Sequence, residues 1–147
     1  MDIRGQQYWM SQYGRKIHFQ KSRCPKKAKS LKIYYCRMQD DLQYDGLTEL
    51  IVTETITERK TEMIRRGDAF IAFPGGTGTL EEIAEVMSKV SLKQLDAPCI
   101  LYNLNGYYNG LKTLLDHMIE TGLSTKERQE GIWFAENLEQ IKQILKA

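Results

Sequence analysis

Pro74-Gly75-Gly76-Thr77-Gly78-Thr79 stands between a short apolar run, AFIAF at 69–73, and a stretch with helical periodicity. Three glycines and two threonines within five positions let a backbone come close to an anion. A strand-to-helix turn offers N–H groups and the positive end of a helix dipole to a phosphate. The spacing is not the dinucleotide fingerprint G-x-G-x-x-G. It is not a Walker loop either, because no Gly-Lys-Ser/Thr follows. A tight turn with no ligand is the bland alternative, but the density of small residues here favours anion binding by Gly75, Gly76, Thr77, Gly78 and Thr79. Glu81 and Glu82 open the next helix in this reading. Acids in a first turn offset the dipole. A carboxylate one turn from a phosphate can instead face a sugar, direct a water, or stabilise an oxocarbenium-like centre. Geometry alone leaves both readings open. Glu58-Arg59-Lys60, on the preceding helix, fits either a solvated face or a contribution to the same site.

The elements that must hold these residues follow from periodicity. ELIVT at 49–53 and AFIAF at 69–73 are buried strands, with PCILY at 98–102 and a last strand at 132–135. Helices are predicted over 55–66, 80–92 and 107–121, with a short one near 124–127 and a final one after Asn137. Thr55 with Glu58, Ser124 with Glu127 and Asn137 with Gln140 have capping-box spacing, and Gly67 and Gly122 stand where helices end. Ile83, Val86, Met87 and Val90 share one helical face. Leu111, Leu114, Leu115, Met118 and Ile119 share another. Strands alternating with helices predict an α/β fold: a partial Rossmann-like parallel sheet of roughly three to four strands with flanking helices.

The chain has 147 residues, 41% apolar and 27% charged, which is one ordinary globular domain. No stretch approaches the roughly 18 apolar residues of a membrane helix. Cys24, Cys36 and Cys99 have no metal-ligand spacing, and the odd count argues against a disulfide framework, so a cytoplasmic setting is the default. The formal net charge of +2 hides a break: residues 1–39 carry +9 and residues 40–147 carry −7. Residues 1–39 show little periodicity, and only LKIYYC at 31–36 reads as a strand. A basic arm for nucleic acid is one interpretation, but nothing there makes a helix face or a stacking platform that reads bases. The expectation is a poorly ordered basic leader at 1–39, followed by the domain proper at 40–147.

Thr57-Glu58-Arg59-Lys60, Met63, Gly67-Asp68, PGGTGTLEE at 74–82 and Asn105-Gly106-Tyr107-Tyr108 together resemble the Lonely-guy family. These are cytokinin riboside 5′-monophosphate phosphoribohydrolases, also labelled possible lysine decarboxylases. The family pattern PGGxGTxxE is matched at Pro74, Gly75, Gly76, Gly78, Thr79 and Glu82, and the resemblance spans roughly residues 45–147. It implies that the glycine loop holds a nucleotide 5′-phosphate, that Arg59 and Glu82 are the catalytic pair, and that Lys60 and Ser88 contact substrate. Glu81, beside the catalytic position, is grouped with the substrate-binding residues. It further implies a homodimer with sites near the subunit interface. Family members carry a strand and a glycine-rich nucleotide loop ahead of the GLTEL segment (46–50). This chain has 45 residues there and no such glycine run, which points to a truncated or mis-started product, or else a divergent variant.

The expected reaction is hydrolysis of the N-glycosidic bond of a purine or cytokinin nucleoside 5′-monophosphate, AMP included, with no metal and no cofactor. The partner is that small molecule; a membrane or nucleic-acid partner is not expected. Lysine decarboxylation would need pyridoxal phosphate on a Schiff-base lysine in an apolar pocket, and Lys60 stands instead on a polar, Arg-rich helix. A nucleotide-binding protein without turnover is the alternative.

Overall fold

The computed structural model describes the backbone of residues 8–11, 19–21, 29–35 and 49–146, and the side chains of residues 51–146. Its strands are β1 (Tyr8–Ser11), β2 (Phe19–Lys21), β3 (Lys29–Tyr35), β4 (Glu49–Thr53), β5 (Ala69–Ala72), β6 (Cys99–Tyr102) and β7 (Ile132–Ala135). Its helices are α1 (Ile56–Arg66), α2 (Thr77–Ser91), α3 (Asn109–Glu120), α4 (Lys126–Gln129) and α5 (Leu138–Ile144).

Four parallel strands form the main sheet in the order β1-β5-β6-β7. Period-2 alternation sends successive side chains to opposite faces, so short continuous apolar runs can bury both. Phe70, Ala72, Cys99 and Leu101 enter one core with Met63 of α1 and Ile83, Val86 and Val90 of α2. Ala69, Ile71, Ile100 and Ala135 enter the other, against Ile141 and Leu145 at the end of the chain. Helices therefore cover both faces, as the alternating pattern requires. Full burial of a side chain such as Phe70 or Ile100 is worth about 2 kcal/mol.

The remaining strands form a second sheet, β2-β3-β4, with β3 antiparallel to β2 and parallel to β4. The strand expected at 31–36 thus exists but starts at Lys29, and it pairs with β4 through Leu31↔Glu49 to Tyr35↔Thr53. Cys36, Cys24 and the Gly46-Leu47-Thr48 motif lie outside the described residues. The edge of β5 is taken instead by β1, with Tyr8↔Ala69 to Ser11↔Ala72 in register. β1 (YWMS) and β2 (FQK) are too short for periodicity to give a signal.

Several boundaries move for physical reasons. α2 begins at Thr77 rather than at residue 80, so half of the glycine loop is the first helical turn. Glu81 and Glu82 then stand in the second turn, where the dipole argument for acids weakens. Gly67 ends α1 in an extended conformation (φ −83°) rather than a left-handed one. Its missing side chain makes room: a Cβ there would sit 2.6 Å from the Phe70 ring. Gly122 does take the left-handed cap, with φ 74°. α3 starts at Asn109, after a 3₁₀ turn at Leu104–Gly106. Leu114 is 49% exposed, while Leu115 carries the buried contact. The short helix is capped by Thr125, whose Oγ1 accepts from Arg128 N, and not by Ser124.

Candidate functional site

α1 is set by its N-terminal cap. Thr55 Oγ1 accepts the Glu58 N–H at 3.1 Å, and the Glu58 carboxylate reaches back to the Glu54 N–H at 2.9 Å. This is the predicted capping arrangement displaced by one residue, since the reciprocal bond goes to Glu54 rather than Thr55. So anchored, α1 turns Arg59, Lys60 and Met63 toward α2. Met63 is buried in the core, which leaves the two cations at the seam between the helices.

Across that seam Arg59 Nη2 donates to Glu82 Oε1 at 2.5 Å, with side-chain exposures of 17% and 12%. Arg59 Nε is buried and has no acceptor among the described residues. The guanidinium therefore keeps a donor in reserve for another oxygen or nitrogen. Lys60 bonds Glu81 and lies 3.2 Å from Glu85. Its ammonium is held protonated, with its pKa raised chiefly by the hydrogen bond to Glu81, against partial burial and with help from Glu85. A Schiff-base lysine needs the opposite shift. Lys60 does not fit pyridoxal chemistry.

The loop meets α2 at Gly76, the N-cap, which has φ −82° and no capping side chain. Thr77 and Gly78 supply first-turn N–H groups that have no helix carbonyl ahead of them. Gly75 must be glycine because a Cβ there would fall onto Thr79, 2.9 Å from its Cβ, and Thr79 is itself buried. Gly76, by contrast, faces open space.

Two tyrosines that carried no role in the sequence reading fasten this loop. Tyr108 OH donates to Phe73 O at 2.6 Å, and Tyr107 OH donates to Gly75 O at 2.5 Å. They are presented by the 3₁₀ turn, where Asn105 (φ 53°) and Gly106 (φ 74°) reverse the chain. Buried Asn103 ties the turn down. It accepts the Tyr108 N–H at 2.6 Å through Oδ1, donates to Asn109 Oδ1 at 2.8 Å, and hydrogen-bonds β7 through its own N–H. Burial, with some contribution from Tyr107, pushes the Tyr108 phenol up to about 12. The only signal in the sequence was the recurrence of Asn105-Gly106-Tyr107-Tyr108 within the motif set.

The candidate residues fall on two flanks of the start of α2. A cleft of about 380 Å³ on the α3 flank is lined by Gly75, Gly76, Thr77, Leu80, Tyr107 and Leu111. Arg59, Lys60, Glu81, Glu82 and Glu85 are on the α1 flank. Residues two apart on a helix point about 160° from one another, which separates Leu80 from Glu82. Gly78 and Glu82 are four apart and stack on one face, and helical side chains lean toward the N-terminus. The absent side chain at Gly78 leaves that face of the first turn uncovered ahead of Glu82, whose carboxylate is held by Arg59. Ser88 is exposed farther along α2, two turns beyond Glu81 and Glu82. Among the described residues, no three His, Cys, Asp or Glu side chains gather as a metal-ligand set.

The family described as possible lysine decarboxylase matches residues 20–145. That match begins upstream of residue 45, where the motif resemblance starts, so the family signal extends into the basic segment. The chain is 37% identical over 110 residues to the cytokinin riboside 5′-monophosphate phosphoribohydrolase LOG5 of Arabidopsis thaliana, covering 75% of this chain and 48% of that protein. It is 43% identical over 93 residues to LOG4 of the same plant, covering 63% and 43%. It is 38% identical over 96 residues to the cytokinin riboside 5′-monophosphate phosphoribohydrolase of Rhodococcoides fascians, covering 65% and 48%. The chain spans about half the length of these curated relatives. With the glycine loop at the start of α2, the Arg59–Glu82 pair beside it, and a family match over most of its length, the chain belongs to the Lonely-guy family.

Proposed function

We propose that the protein hydrolyses the N-glycosidic bond of a purine or cytokinin nucleoside 5′-monophosphate, releasing the free base and ribose 5-phosphate. The single observation that carries this reading is the mostly buried Arg59–Glu82 pair at 2.5 Å, set against a glycine loop that opens a helix. The names of the relatives support it from outside the geometry.

In this mechanism the backbone N–H groups of Gly76, Thr77 and Gly78 hold the 5′-phosphate at the positive end of α2. Glu82 faces the ribose. As the C1′–N bond loosens, positive charge grows on the sugar, and a fixed carboxylate stabilises it and directs water to C1′. Water supplies the hydroxyl to C1′ and, in net, a proton to the departing base nitrogen. Arg59 orients Glu82 through Nη2, while Nε is available to a substrate acceptor. Lys60 acts through Glu81 and Glu85 by holding α1 against α2, and direct substrate contact by Lys60 or Ser88 is a residue-level extension of the family resemblance. The homodimer and the cytoplasmic setting belong to the same proposal.

The test is free-base release from AMP and from a cytokinin riboside 5′-monophosphate, followed by chromatography, beside calorimetric binding of AMP. Base release that disappears in Glu82→Gln supports the reading. AMP binding without release would make the chain a nucleotide-binding protein. Neither binding nor release would overturn the site itself.

A further inference from the structure

Phe73 and Gly75, the residues on either side of Pro74, both have their carbonyls held by tyrosines. Tyr108 takes Phe73 O and Tyr107 takes Gly75 O, and the two rings meet edge to face at 5.0 Å. The two phenols are not equivalent. Tyr108 is buried and belongs to the core, whereas Tyr107 is 54% exposed. Burial therefore accounts for little of Tyr107, and what distinguishes it is the backbone atom it holds.

The peptide joining Gly75 to Gly76 is trans, so the Gly76 N–H points opposite to the Gly75 carbonyl. A Gly-Gly step is the least restrained in the genetic code's repertoire, and a Cβ built on Gly76 would meet nothing within 4 Å. The Tyr107 hydrogen bond holds the carbonyl side of this peptide. With the carbonyl turned to Tyr107 and α3, the N–H is turned away from them, and Arg59 and Glu82 lie on the flank of α2 away from the α3 cleft.

We propose that Tyr107 is a positioning residue whose phenol, by holding the Gly75 carbonyl, aims the Gly76 N–H at the phosphate of the bound nucleotide. This rests on the reading of residues 75–79 as a phosphate cradle. The donor is preorganised before ligand arrives, so the ligand does not have to order a free peptide. A phenylalanine at 107 keeps the ring and its contact with Tyr108 and loses only the hydroxyl.

The experiment compares wild type with Tyr107→Phe in calorimetric titrations with AMP and with inorganic phosphate, beside thermal melts and the amide resonance of Gly76 in the free protein. Both affinities are expected to fall about tenfold and by the same factor, as for loss of one well-aligned bond to a charged group. The Gly76 resonance should shift without ligand, and the melting midpoint should stay nearly constant. Unchanged phosphate affinity in Tyr107→Phe would overturn the inference while leaving the cradle intact. So would a loss confined to AMP, which would place Tyr107 on the base or ribose, or a large drop in melting midpoint, which would make its role structural. Wild-type protein that binds neither ligand would overturn the cradle, and the inference with it.

Discussion

Arg59 Nη2 lies 2.5 Å from Glu82 Oε1 although the two residues are 23 positions apart, one on α1 and the other on α2. Both side chains are mostly buried, whereas neighbouring Glu81 is 58% exposed and bonds Lys60. The two adjacent carboxylates thus have separate partners and separate environments, and they should separate in function.

Glu82→Gln should reduce base release by at least about two orders of magnitude, the scale of a positioned acid–base or charge-stabilising group. AMP affinity should stay within about threefold, because the proposed mechanism gives the phosphate to the loop backbone. Glu81→Gln should cost less than about fivefold, since it removes a half-exposed ion pair of small net worth. Steady-state kinetics with calorimetry would decide this, and equal losses in the two variants would remove Glu82 from the reaction.

Gly76→Val and Gly75→Ala should fail in different ways. Gly76 has φ −82° and open space around it, so a side chain there is compatible with the fold. Valine would instead block close approach of phosphate, and AMP binding should be lost in a protein that still melts cooperatively. At Gly75 a Cβ lands on Thr79, and such overpacking costs about 1–3 kcal/mol of stability. Thermal melts and AMP titration of both variants separate a ligand-contacting glycine from a packing one. Undiminished AMP affinity in Gly76→Val would reduce the loop to a turn.

Alkaline pH should weaken the fold in a defined window. Burial pushes the Cys99 thiol from 9.0 up to about 12, and the Tyr108 phenol from 10.0 up to about 12. Both folded-state values are raised, so their contribution is complete below the unfolded pKa and is lost as pH rises toward the folded one. Stability should be flat up to about pH 9 on this account and then decline through about pH 12. Cys99→Ala and Tyr108→Phe should each make the decline shallower in denaturant titrations taken across that range. An unaltered slope in both would show that these groups do not set it.

β1 should protect one set of β5 amides and not the other. The Phe70 N–H donates to Pro98 O, toward β6, so by strand alternation the Ile71 N–H faces β1. Deleting residues 1–11 should speed exchange at Ile71 by at least about tenfold more than at Phe70. Equal effects on the two amides would show that β1 does not cover this edge.

The sequence alone carried the parts of this protein whose cause is local. Buried strands at 69–72 and 99–102 follow from short apolar runs. The Asn137 cap follows from side chains that satisfy helix-end donors three residues away, and here Gln140 N donates to Asn137 and Glu136 N to Gln140. The resemblance that the loop motif and its neighbours carry implied Arg59 and Glu82 as a pair, which residue type and spacing alone left open. Tertiary structure decided the rest, because the deciding contacts join residues far apart in the chain. It decided that Lys60 is committed to Glu81 and Glu85, and that Gly67 is small for the sake of Phe70 rather than for a left-handed turn. It decided that β3 pairs with β4 and that β1 borders β5, since register is fixed between strands and not within one. It also showed Tyr107 fastened to Gly75, a bond across 32 residues between an exposed phenol and a backbone carbonyl. Every residue offers such a carbonyl, so no residue type in the sequence could signal that partner.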